Sequence, residues 1–262
     1  MLDRPPGFDG IPFGATRTFD EDEAATVLAS FMSALRTKLA SSTTLPMIDN
    51  RPSHVRRGTD IGWAGAWDVI PFRFGGSDDY TKHPHLAAWI SEFDIGIEVV
   101  LPNAARPYWR RLRSVDQARF FAALCQVSGH LAPRRTSLGA GLWEPRLVID
   151  VLQRHFHARR RAVDDGRLRF DLDVLCGGGN PAVKSMSVWL QALRAVLAEH
   201  GRANLQLDLT VSFPLLDGSI SRGPQFLQAA VASAEALHPF IELLRGDEAN
   251  ADPPVSLAES AP

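Results

Sequence analysis

Three aspartates of this chain could do chemistry together: Asp171, Asp173 and Asp208. They sit in RLRFDLDVL (167–175) and LQLDLTVSF (205–213), where apolar and polar residues alternate. Side chains two apart on a strand share a face, so Asp171 and Asp173 fall together. Asp208 joins them if the two strands belong to one sheet. Carboxylates from neighbouring strands are ligands for Mg²⁺ or Mn²⁺, which can activate water for attack on a phosphodiester. Arg167 and Arg169 share the polar side of the first strand, however, and can neutralise the aspartates. The D/E-x-K element of many nucleases is absent. Without a metal, the same residues are the polar face of a sheet that meets solvent or a partner.

A second candidate is the turn GGNPAVKS, Gly178 to Ser185. It nearly fits the phosphate-loop pattern G-x-x-x-x-G-K-[ST], with Val183 in place of the second glycine. A β-branched residue resists the backbone conformation that curls around phosphate. The expectation is therefore a looser anion site, in which Gly178, Gly179, Lys184 and Ser185 meet a negative group at a helix N-terminus. Further metal-competent residues lie in RFGGSDDYTKHPH (73–85), namely Asp78, Asp79, His83 and His85; a polar loop ahead of a strand accounts for them better. Arg106, Arg110, Arg111 and Arg113 flank Tyr108 and Trp109, a mixture suited to single-stranded nucleic acid. Arg154, His155, His157 and Arg159 to Arg161 crowd the end of an expected helix, where the dipole favours cations. SISRG (219–223) lacks the first glycine of a serine-hydrolase elbow, and GAGLWE (139–144) lacks the third glycine of a dinucleotide fingerprint.

The elements that position these groups follow from periodicity. FDIGIEVVL (93–101) alternates as cleanly as the two aspartate-bearing stretches. Asp20 to Glu23 precede a helical stripe of Ala24, Val27, Leu28, Phe31, Met32, Leu35 and Leu39, predicting a helix over 20–40. GWAGAWDVIPFRF (62–74) predicts a strand or strand pair with an edge at Pro71, and LAAWI (86–90) leads into the next strand. Ser114 to Gln117 has the form of a capping box. Leu147, Val148, Val151, Leu152 and Phe156 have helical spacing. Asn180 and Pro181 open a helix that stops at Gly201, and a last helix from Pro224 is kinked or split at Pro239. Residues 167–213 then read strand, helix, strand, a βαβ crossover long enough for a parallel pair.

The whole is expected to be α+β: a mixed sheet with helices packed mainly on one face. Residues 1–19 form an arm, 20–245 a single domain with subregions 20–135 and 136–245, and 246–262 a disordered tail. At 262 residues, 45% hydrophobic and 22% charged, the composition is that of a soluble globular protein. A net charge of −2 gives no global attraction to nucleic acid. Two cysteines without ligand spacing, no apolar leader and no membrane-length apolar run predict a cytoplasmic protein with no membrane partner.

Three patches in order, RFGGSDDYTKH (73–83), GAGLWEP (139–145) and VSFPLLDGSISRGPQFLQ (211–228), resemble a bacterial family of unknown function. The first departs from that pattern, with Asp79 where a lysine is expected. The resemblance implies no activity. The expected function is binding or protein interaction through the open polar sheet face, with no cofactor. The alternative is a metal-dependent hydrolase or transferase on a phosphate-containing substrate, with Asp171, Asp173 and Asp208 holding Mg²⁺ or Mn²⁺ and Lys184 on phosphate.

Overall fold

The computed structural model describes residues 20–42, 54–57, 65–72, 79–91, 94–137, 146–155, 163–172, 183–214 and 224–246. Helix α1 (Glu21–Ala40) begins where Asp20 accepts hydrogen bonds from the Asp22 and Glu23 amides at 2.9 and 3.1 Å. That capping satisfies amides which the first helical turn cannot. Its stripe of Leu28, Phe31, Met32, Leu35 and Leu39 is fully buried. Each such side chain contributes roughly 1.5–3 kcal/mol by leaving water.

The sheet contains β1 (Arg56–Arg57), β2 (Gly65–Pro71), β3 (His85–Ser91), β4 (Asp94–Leu101), β5 (Arg146–His155), β6 (Val163–Asp171) and β7 (Leu205–Pro214). Their spatial order is β1-β2-β3-β4-β7-β5-β6, and every pairing is antiparallel. The remaining helices are α2 (Arg106–Ser114), α3 (Gln117–Ser137), α4 (Val183–Ala198), α5 (Pro224–Ala236) and α6 (His238–Arg245). One hydrophobic cluster joins α1, the helices after β4 and one face of the sheet. Ile95, Ile97 and Val99, Leu207, Leu209 and Val211, and Leu147, Ile149 and Val151 supply that face. The α+β class and the one-sided helix layer are as the alternation predicts. No described helix is long and apolar enough to cross a membrane.

Four expectations change in detail. Residues 146–155 form strand β5 instead of a helix. Leu147, Val148, Val151 and Leu152 are all buried, so this strand is apolar on both faces and its period of two is hidden. β5 also alters the crossover. β6 and β7 run the same way, but β5 lies between them and pairs with both, so they are not neighbours and the sheet is not mixed. The local β5–β6 hairpin takes the position that a parallel partner would occupy. Ser114 is not the cap of α3: it closes α2, donating its hydroxyl to the Arg111 carbonyl at 2.8 Å, while Asp116 accepts from the Arg119 amide at 2.8 Å. The 167–175 strand spans Val163–Asp171. Pro239 does split the last helical stretch, standing in the first turn of α6. Gly201, just past α4, has a φ of +100°, which favours glycine at this stop.

Candidate functional site

The second face of the sheet carries the alternate residues of each strand, and the register sets them in rows. One row runs Arg56, Trp67, Trp89, Gly96, Ser212. The next runs Ala87, Glu98, Thr210, Val148, Asp171. A third runs His85, Val100, Asp208, Asp150, Arg169, and beyond it Gln206 and Leu152 lead to Arg167. Aromatic rings therefore collect at one corner, carboxylates in the middle and guanidinium groups at the opposite side.

Asp150 is the centre of the charged side. Arg167 donates to its two oxygens at 2.9 and 2.6 Å, and Arg169 to the same pair at 3.0 and 3.0 Å. Two forks on one carboxylate are a rigid arrangement, because a planar guanidinium matches a carboxylate at two points. Asp150 is buried, whereas the arginine side chains are 52% and 54% exposed. Burial raises the Asp150 pKa, but the hydrogen bonds and charges of Arg167 and Arg169 outweigh it and hold the carboxyl below its ordinary value. Arg167 is raised in turn, first by its bond to Asp150 and also by the charges of Asp208 and Glu98. The second carboxylate, Asp208, stands directly opposite Asp150 across β5 and β7 and is buried. Its oxygens accept from Gln206 Nε2 at 2.8 and 3.0 Å.

Trp89 lies flat on the sheet. A methyl group built on Gly96 would come within 2.2 Å of its ring, so glycine there is what allows the indole to lie against the neighbouring strand. The indole N–H donates to Glu98 Oε2 at 2.9 Å, and the Thr210 hydroxyl donates to the same oxygen at 3.0 Å. Beside it, Arg56 sits 5.2 Å from the Trp67 ring and 4.9 Å from the Tyr80 ring, and donates a hydrogen bond to the Tyr80 hydroxyl. Guanidinium over an aromatic face is a cation–π contact.

The sequence candidates are dispersed. Asp171 is exposed and shares the polar face with Asp208, but lies two strands away and two residues further along. Strand spacings put their Cα atoms roughly 12 Å apart. Asp150 and Arg169 stand in the same row as Asp208, next to the row of Asp171. Asp173, Gly178 and Gly179 lie outside the described residues, as do Asp78 and the side chains of Lys184 and Ser185 in the first turn of α4. Among the described residues no three His, Cys, Asp or Glu side chains group as metal ligands.

His83 and His85 do not face each other as ligands. His85 is buried, its Nδ1 is 3.1 Å from the His83 carbonyl, and burial pushes it down to about 4. His83 instead meets Tyr108, edge to face at 6.0 Å. Asp79 caps a single 3₁₀ turn (Tyr80–Lys82), and hydrogen bonds from the Thr81 side chain and Lys82 bring it down to about 2.

The basic run of α2 is largely spent on the fold. Arg111 donates to the carbonyls of Leu244 and Arg245 at the end of α6, and Arg113 to that of His200. Trp109 is fully buried and stacked on His200 at 4.3 Å. Only Arg106 and Arg110 are left exposed without such bonds to carbonyls in the run. The later basic run begins at the end of β5, and 156–162 lie outside the described residues.

Asp150 was hidden from sequence reasoning by the helix-like spacing around it. A signal did exist: it is the lone charged residue in LVIDVL, with β-branched Val148, Ile149 and Val151 about it. No family model matches the chain, and no curated protein or solved structure matches it either.

Proposed function

We propose that the protein is a binding module whose polar sheet face receives a partner protein. The observation that supports this best is the Asp150 fork: a buried carboxylate fixes two half-exposed guanidinium groups on a face against which the helix layer does not pack. Arginines held in this way lose little side-chain entropy on meeting a ligand, which is what favours a recognition surface over a merely solvated one. Their neighbours, planar carboxylates and a flat indole, are residue types that interfaces use for orientation and contact area.

The test is position-specific photo-crosslinking in the cells that make the protein. A photoreactive residue replaces the exposed Asp171 on the polar face or, as a control, the exposed Thr37 on α1. A discrete adduct from position 171, absent from position 37 and lost with Arg167→Glu, is the expected result. Identical adducts from both positions, or none from position 171, would overturn the reading.

A further inference from the structure

We propose that a cleft in the helix layer, walled by α2, the start of α3 and the end of α6, binds the carboxylate of a small organic acid through Arg111. The cleft lies apart from the polar sheet face, and the proposal stands independently of the binding reading above.

Three observations lead there. The first is how Arg111 is held. Its Nη1 donates to the carbonyls of Leu244 and Arg245, at the end of α6. Gly246 follows with a φ of +64°, and a Cβ built on it would stand 2.7 Å from Arg111 Nε. Glycine is what lets the end of α6 close on the guanidinium, and that close approach holds the group in one orientation. Among the described residues nothing bonds to Arg111 Nε or Nη2, and no carboxylate pairs with them. These two nitrogens are the fork with which Arg167 and Arg169 each grip Asp150 in this same chain. A carboxylate matches such a fork at two points, and a fork fixed in advance loses little entropy in meeting it.

The second is the space beside it. Arg111 lines a cleft of about 300 Å³ together with Val115, Asp116, Arg119, Leu243 and Gly246. That volume is at the small end of the range for ligand sites. Val115 and Leu243 supply an apolar wall for the body of the acid.

The third is charge. Arg119 is exposed, and among the described residues its guanidinium takes neither an ion pair nor a hydrogen bond. Arg194 brings a further cation close, donating to the Val115 carbonyl at 3.1 Å. Asp116 is the one acid among the described lining residues, and it is engaged by the Arg119 amide at 2.8 Å. The excess of positive charge attracts an anion, the planar fork selects a carboxylate, and the apolar wall favours an organic body over a bare ion.

The experiment titrates the full chain, isotope-labelled for NMR, with benzoate, with its neutral counterpart benzamide and with inorganic phosphate. Benzoate is expected to bind saturably and to shift the Arg111 Nε–H resonance, assigned through its own side chain. Arg111→Lys keeps the charge but not the fork, and should bind benzoate about tenfold more weakly. Arg119→Gln should weaken binding about threefold, while Lys38→Gln on α1 leaves it unchanged. The wild-type resonance and Arg119→Gln decide the matter if Arg111→Lys fails to fold. An Arg111 Nε–H resonance that benzoate does not move, equal binding of benzamide, or tighter binding of phosphate would overturn the proposal. So would unchanged affinity in both arginine variants, or an equal loss with Lys38→Gln.

Discussion

Two buried aspartates, one on each face of the same sheet, show how differently a carboxylate can be used. Asp68 on β2 lies under the helix layer and meets Arg36 of α1 at 3.1 Å, with both side chains almost wholly excluded from solvent. It also accepts from the His54 and Val69 amides, while Arg36 donates to the Val69 carbonyl. Asp150 on β5 is buried as deeply, but the arginines that hold it reach into water. The first pair joins a helix to a strand inside the core. The second is a pedestal that displays charge. Burial of the acid is the same in both, so it is the exposure of the arginine that separates an architectural ion pair from one that displays charge to solvent.

Removing each acid tests that contrast, and the largest effect belongs to Asp68. Asp68→Ala leaves Arg36 charged and buried, and should cost about 3–5 kcal/mol in denaturant unfolding. A loss below about 1 kcal/mol would show that Arg36 escapes to solvent and that the two faces are not distinct.

The next effect comes from His85, at a corner where the polar face is closed over. Its folded pKa of about 4 lies below the unfolded value of 6.5, so the unfolded state takes up its proton first. Stability is thus fully present above about pH 6.5 and falls as the pH drops toward 4, by roughly 3 kcal/mol in all. His83 and His200, both lowered chiefly by burial, act in the same direction. The comparison of wild type with His85→Gln isolates the one residue: the variant's stability should change less over this range. An unchanged pH profile would show that His85 is solvated and that the corner is open.

Asp150→Ala gives the smallest effect, about 1 kcal/mol, because Arg167 and Arg169 can turn to water once released. Its consequence should appear in recognition instead: the position-171 adduct weakens although the fold persists. A loss as large as that of Asp68→Ala would make Asp150 architectural and erase the contrast.

Much of this molecule was legible in its residues. The alternation at 94–101 and 205–213 placed β4 and β7 with their helix-facing parity, since a strand with one wet face must alternate. Asp20 and the stripe behind it placed α1. Helix α2 was obscured: four arginines surround Trp109 and Leu112, its two buried residues, and the run reads as a basic–aromatic stretch suited to nucleic acid. The site was less legible than the fold. Asp208 and Asp171 were rightly put on one face, but Asp150, the group between them, was assigned to a helix.

By itself the sequence determined that β4 and β7 are strands, which side of each faces the helices, and where α1 begins, because these are local consequences of side-chain period and capping. Tertiary structure decided that β5 stands between β6 and β7, that Asp150 receives both arginines, and that Trp89 lies over Gly96. Those outcomes depend on which strands become neighbours. A strand buried on both faces carries no period to announce its place, and register across strands is set only when the whole sheet packs.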